Sequence, residues 1–379
     1  MRDILTLLVT ITLVVCQGQA VAQQNLWREE GVLSPEVCED GGVIFRLYAP
    51  NARRVVVEGD FASEPLPMSR NEQGVWEFRS EPLASDYYTY TFAVDGMKGV
   101  LDSSNVRTVR DVASVMNYFI VGGDKGNLYS QQNVAHGTVS RVWATTEDLS
   151  RRMTIYTPAG YEAGYRSYPV LYLLHGMGGD EEAWIATGRM AEIMDNLIAE
   201  GRAEPMIVVM PNGCMRHDAA PTYSAEEYKP YMSGSMDGSF ERYFPSIVSW
   251  VDAHYRTYTS KDRRAIAGLS MGGFHAMQIS RSYPDMFDYV GLFSAAIYRG
   301  EEGVAIYENL AEGIAEQFSR GVSLYWIGIG RDDFLFEENV AFRRMLDEGG
   351  YEYEYFESEG GHTWRNWRCY LAEFVESLF

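Results

Sequence analysis

The sequence predicts a chain of two unlike parts, a small all-β sandwich followed by a larger α/β unit with a doubly wound, mostly parallel sheet. Three observations carry this. Between residues 43 and 121, short runs of aromatic and β-branched residues are broken by turn residues. From residue 138 onward, continuous apolar runs alternate with helical segments, as in a parallel sheet covered on both faces. The 379 residues also exceed what one domain of roughly 150 residues uses.

The chain opens with Arg2, a mostly apolar stretch from Ile4 to Val15, and then Ala20-Val21-Ala22. That is the form of an export signal, predicted over residues 1–22, and its apolar stretch is too short to cross about 30 Å of hydrocarbon. Leu13-Val14-Val15-Cys16 has the outline of a lipoprotein signal, but Val15 stands where a small residue is required, so lipid attachment at Cys16 is the secondary reading. A secreted or periplasmic protein is expected.

The sandwich is predicted over 23–122, with strands at Val43–Tyr48, Arg54–Glu58, Gly74–Phe78, Tyr87–Val94 and Asn117–Val121. Asp95-Gly96 marks a hairpin, because both residues tolerate positive φ. The polar, Gly-rich residues 123–137 read as a linker. In the α/β unit, 138–379, strands are predicted at Tyr168–Leu174, Met206–Met210, Arg264–Leu269, Tyr289–Phe293, Ser323–Ile329 and Tyr351–Phe356. Helices are predicted at Gly188–Glu200, Phe240–His254, Gly272–Tyr283, Glu337–Glu348 and Trp364–Leu378.

Composition narrows the partners. A formal charge of −21 has the wrong sign for gripping a phosphate backbone, which excludes nucleic acid and favours neutral over polyanionic substrates. No stretch after the leader is suited to stable membrane insertion. Beyond the leader only Cys38, Cys214 and Cys369 remain, so at most one disulfide can form. No Cys-x-x-Cys or His-Glu-x-x-His pattern occurs, and neither a metal nor another cofactor is expected.

Open α/β sheets bind ligands beyond the carboxyl ends of their strands. There the sequence places Gly268-Leu269-Ser270-Met271-Gly272 between an apolar run and a helical one. Glycines at 268 and 272 let a strand turn sharply into a helix with the Ser270 hydroxyl exposed, so Ser270 is the expected nucleophile rather than a mere helix cap. A serine needs a base. Of six histidines, His362 follows the last predicted strand and precedes the last helix, where a hydrolase of Ser, Asp, His order keeps its base. Asp332 and Asp333, at the end of the Ser323–Ile329 strand, are both placed to hold that base in one tautomer, and spacing alone does not choose between them. Leu174-His175-Gly176-Met177-Gly178-Gly179 has the glycines of an oxyanion loop, which makes the Met177 and Met271 backbone N–H groups the expected donors. His175, Tyr223, Tyr231 and Trp364 are the candidates for substrate contact, the tyrosines lying in a Tyr- and Gly-rich stretch between a strand and a helix.

Together, His175-Gly176-Met177-Gly178-Gly179, Gly268-Leu269-Ser270-Met271-Gly272-Gly273, Gly330-Arg331-Asp332-Asp333-Phe334-Leu335 and Gly361-His362 resemble the esterase D-like α/β-hydrolases, including carbohydrate esterase family 1. The resemblance covers nearly all of Thr138 to Phe379 and implies an α/β-hydrolase fold, a Ser-His-Asp site, and Asp333 as the acid, since the family's Asp precedes Phe-Leu or Ser-Leu. Residues 45–121, with Gly59-Asp60-Phe61, Gly74-Val75-Trp76 and Tyr90-Thr91-Phe92-Ala93-Val94-Asp95-Gly96, resemble the immunoglobulin-like modules classed with carbohydrate-binding family 48. Glycan-binding relatives carry a Trp shortly after Gly-Asp-Phe. Here Ala62 and Ser63 follow, so the module is expected to be a structural or lid-forming partner before an independent sugar binder. The two-part layout implies a feruloyl or acetylxylan esterase acting on plant cell-wall polysaccharide or feruloylated or acetylated oligosaccharide. A siderophore esterase and a non-catalytic carbohydrate-binding protein are the competing readings.

Overall fold

A computed structural model describes residues 31–145, 150–224 and 235–379. The expected leader, with Cys16, lies outside the described residues, as does Tyr231. The N-terminal module is an all-antiparallel sandwich. One sheet has the order β1 (Glu36–Val37), β2 (Val43–Tyr48), β6 (Val75–Arg79), β5 (Ser69–Arg70). The other has the order β4 (Leu66–Pro67), β3 (Val55–Gly59), β7 (Asp86–Val94), β10 (Ser114–Val121), β9 (Thr108–Asp111), with β8 (Met97–Val100) paired to β7. Val43, Phe45, Val57, Tyr90, Phe92 and Phe119 fill the space between them, Phe45 stacking on Phe61 with ring centroids 5.3 Å apart. The β7–β8 turn is the predicted one. Asp95 and Gly96 take φ of 50° and 92°, and the Asp95 carboxylate accepts the Arg53 and Arg54 amides, tying the turn to the start of the neighbouring β3.

The expected linker is a packed connection. It carries a short helix, α1 (Asp124–Leu128), and the Asn196 amide donates to the carbonyls of Asn127, Leu128 and Ser130.

The C-terminal unit is an eight-stranded sheet with the order β11 (Thr138–Thr145), β12 (Ser150–Thr157), β14 (Ile207–Pro211), β13 (Val170–Leu174), β15 (Arg264–Leu269), β16 (Tyr289–Phe293), β17 (Leu324–Gly330), β18 (Glu354–Ser358). β12 runs antiparallel to both its neighbours, and all later pairs are parallel. Alternation along each strand feeds two apolar layers. Val170, Tyr172 and Leu174 face one layer, with α4 (Ser239–His254), α5 (Met271–Ser282), α6 (Leu310–Ser319) and α7 (Phe336–Gly349). Leu171 and Leu173 face the other, with α3 (Met190–Ala199) and α8 (Trp364–Glu376). A short helix, α2 (Ala183–Ala186), lies between β13 and α3. The chain order reverses at β13, whose neighbours are β14 and β15, so the loops after β13 and β15 open side by side at a switch point.

Most predicted elements lie within a few residues of the observed ones. The last strand is the exception: it starts at Glu354 rather than Tyr351, because Tyr351 stacks on Phe318 (4.6 Å) and Glu354 is the residue in register with Trp326. The elements not predicted include the edge strand β11, the helix α6, the β9 strand and several short segments. α6 carries a glycine mid-helix, and β9 is the polar run Thr-Val-Arg-Asp.

The module's second sheet packs on the α3–α8 layer, with Tyr87 buried in it and Tyr118 stacked on Tyr87 (4.8 Å). Arg368 of α8, 1% exposed, donates to the Asp86 carboxylate and to the Tyr87 and Thr187 carbonyls. Arg365 pairs with the same Asp86 at 2.9 Å. Truncating a buried partner strands the groups it satisfied, so Arg368→Ala is expected to cost about 3–5 kcal/mol in urea unfolding. A loss below about 1 kcal/mol, the size of an exposed pair, would contradict this role.

Candidate active site

β15 ends at Leu269, and the next residue, Ser270, turns the chain abruptly into α5 with φ of 54° and ψ of −115°. Such a conformation costs a serine roughly 1–3 kcal/mol and persists only where its surroundings impose it. They do so through glycines. A Cβ at position 268 would lie 2.4 Å from the Gly272 backbone, and one at 272 would lie 2.4 Å from the Leu174 carbonyl oxygen. The Ser270 amide donates to Phe293, and its carbonyl accepts from Phe274 and Ala296, so the turn is held by its backbone. The first N–H groups of α5, beginning at Met271, have no intrahelical acceptor and present positive charge beside the hydroxyl.

His362 lies in the loop between β18 and α8. Its Nδ1 sits 2.9 Å from Oδ2 and 3.1 Å from Oδ1 of Asp333. An ionised carboxylate only accepts, so Nδ1 carries the proton and Nε2 is the free acceptor. Asp333 is buried and also accepts the Leu335 amide, whereas Asp332 is exposed. The geometry therefore selects Asp333. The imidazole is flanked by Phe334 (4.6 Å) and, edge-on, by Trp367 (4.9 Å).

The loop after β13 meets this pair from the other side. A Cβ at Gly176 would lie 2.5 Å from Leu269 and 3.4 Å from the Ser270 Cβ, which brings the Met177 backbone next to the serine. His175 does not contact the cavity, contrary to its expected role. Its ring is buried, Nδ1 bonding the Gly176 carbonyl (2.8 Å) and Nε2 accepting the Gly213 amide (2.8 Å), so it fastens the loop after β13 to the one after β14. Burial lowers its proton affinity, which keeps the ring neutral for both bonds.

Ser270, His362, Met177 and Met271 line one cavity of about 520 Å³. Trp364 lines it too. Tyr223 does not: its ring covers the Arg152 guanidinium at 3.6 Å and faces a smaller adjoining cleft of about 160 Å³. The rest of the wall is mostly apolar, with Met236, Leu269, Leu335 and Trp367. Arg299 also borders it, paired with Glu338. Two lining residues, Asp111 and Val112, come from the N-terminal module, and nothing in their polar sequence setting marks them. Among the described residues no cluster of His, Cys, Asp and Glu has the form of a metal site, and Cys38, Cys214 and Cys369 are unpaired.

Two family models match the chain, "Putative esterase" over residues 146–322 and "Carbohydrate-binding module 48 (Isoamylase N-terminal domain)" over residues 32–111. The N-terminal module is thus similar to family 48 modules and the C-terminal unit to esterases. It is similar to an endo-1,4-beta-xylanase/feruloyl esterase of Xylanibacter ruminicola, 27% identical over 94% of this chain and 47% of that protein. A solved ferulic acid esterase is similar to 65% of this chain and covers 98% of its own, with a TM-score of 0.53 and 26% identity. The enterobactin esterase of Shigella flexneri matches 88% of this chain and 92% of its own with a TM-score of 0.62, and at 16% identity that likeness is one of fold. The chain spans about half the length of the curated relatives it matches. The esterase domain thus has the α/β-hydrolase architecture, and the family 48 module forms part of the wall around Ser270.

Proposed function

We propose that the protein is an exported serine carboxylic ester hydrolase that removes feruloyl groups, and secondarily acetyl groups, from xylan or arabinoxylan of plant cell walls. The observation that carries this reading is the buried Asp333 bonded to His362 Nδ1, with the imidazole lining the same cavity as the strained Ser270. Ser270 Oγ attacks the ester carbonyl carbon while His362 Nε2 takes its proton. The oxyanion accepts the Met177 and Met271 amides, and Asp333 stabilises the imidazolium. The bond to the sugar oxygen then breaks and His362 protonates that oxygen. Water, activated by the same imidazole, cleaves the acyl-serine and releases the acid.

Ferulate is favoured over acetate because the cavity holds about 520 Å³ of largely apolar space, which a two-carbon acyl group would leave mostly empty. The similarity to a xylanase/feruloyl esterase and to a ferulic acid esterase supports the same choice. The leader reading adds that the mature chain begins at Gln23. Incubation with methyl ferulate and with acetylated xylan tests the proposal. Faster release of ferulate is expected, faster release of acetate would reverse the substrate order, and hydrolysis of neither would overturn the enzymatic reading.

A further inference from the structure

The β9–β10 hairpin reaches from the module into the esterase cavity, and its tip is built for that position. Val112 takes φ of 51°, a left-handed conformation that is an outlier for a β-branched residue. Three contacts hold it there. The Arg110 guanidinium donates to the Val112 carbonyl (2.9 Å) and to Asp180 Oδ2 (2.5 Å), just beyond the oxyanion loop. The Val112 side chain packs so closely on Gly178, itself at φ of 77°, that a Cβ there would meet it at 2.7 Å. The neighbouring Asp111 accepts the Trp364 indole N–H through Oδ1 at 3.2 Å. Trp364 in turn packs edge-on against Trp367, which packs on His362.

Among the described residues Asp111 is the sole carboxylate that lines the cavity. One of its oxygens is committed to Trp364, and the other has acceptor capacity to spare. Desolvation raises its proton affinity, partly countered by the indole bond and Arg110. A partly buried carboxylate among apolar walls selects a donor, since a group that cannot donate leaves it unpaired. Neither the serine chemistry nor the oxyanion loop uses it.

We propose that Asp111, supplied by the family 48 module, is a specificity-determining residue of the esterase cavity that accepts a hydrogen bond from a hydroxyl on a ring of the ester substrate. This rests on the ester-hydrolase reading for its substrate, and the hydroxyl belongs either to the aromatic acyl ring or to the sugar. The module then acts on specificity from inside the active site, through one side chain, without a stacking platform of its own.

The test uses the full chain. Binding is measured by quenching of tryptophan fluorescence in Ser270→Ala protein, which does not depend on turnover, with methyl ferulate, methyl cinnamate and feruloyl arabinose as ligands. Turnover of the same esters is measured in the parent background. Asp111→Ala is expected to lower the ferulate-to-cinnamate preference by about 10-fold or more, the size of a hydrogen bond to a charged group. If that ratio holds but the preference for feruloyl arabinose over methyl ferulate falls, the hydroxyl is the sugar's. Asp111→Asn, which keeps an acceptor for Trp364 but puts a donor amide in place of the other oxygen, separates recognition from positioning: it is expected to lose the preference nearly as fully as Asp111→Ala, and a preference kept at the parent's level would assign the effect to the positioning of Trp364 and overturn the proposal. Equal weakening of all three ligands by Asp111→Ala, or no change in any, would overturn the proposal. If the parent turns over none of the esters while binding still discriminates between them in an Asp111-dependent way, the hydrolase reading falls and Asp111 keeps its role.

Discussion

Ser270→Ala is expected to lower kcat/KM for methyl ferulate by about 10⁴- to 10⁶-fold, with the unfolding transition close to that of the parent. The loss is large because the hydroxyl is the bond-forming atom in the proposed cycle, and the oxyanion donors and cavity alone retain only a small residual acceleration. Stability should survive because the turn is carried by the Ser270 backbone, which bonds Phe293, Phe274 and Ala296 and is unchanged in alanine. The left-handed φ of 54° is equally unfavourable for both residues, so it cancels. A fall of less than about 100-fold, no more than loss of one oxyanion donor, would mean that another group attacks the ester.

The second large effect concerns the acid. Asp333→Asn is expected to lower kcat by about 10⁴-fold, because an amide opposite Nδ1 can donate and so favours the tautomer that leaves Nε2 protonated and unable to take the serine proton. The neighbouring Asp332→Asn is expected to change kcat by less than about twofold, since Asp332 is exposed and surface substitutions outside the site perturb little. Steady-state kinetics on both variants check the contrast. Equal losses would mean that the negative charge of the loop, rather than the bond to His362, is what matters.

That pair also marks how far the sequence could be read. Gly268, Ser270 and Gly272 announce themselves because a strand-to-helix turn tolerates few side chains, and backbone lies where each glycine's Cβ would go. His362 was legible from its place after the last strand. Asp332 and Asp333 were not separable by spacing, because which of two adjacent residues faces inward depends on the local turn: Asp333 bonds the Leu335 amide and points to the imidazole. His175 was misassigned for a related reason. Sequence puts it beside the oxyanion loop, but only packing shows its ring turned into the protein, toward Gly176 and Gly213. Asp111 and Val112 were out of reach altogether, since they lie about 160 residues before Ser270 and the β9 arm of their hairpin has no apolar pattern to expose it. What placed them at the cavity is the docking of the module's second sheet on the α3–α8 layer through Asp86, Tyr87 and Arg368.

The central claim is that Ser270 becomes a nucleophile through His362. Reaction of the full chain with a fluorophosphonate, followed by peptide mapping, tests it most directly. The account predicts a single phosphonyl adduct on Ser270, formed much more slowly in His362→Ala protein. An adduct at another residue, or ester hydrolysis that persists with Ser270 unlabelled, would contradict it.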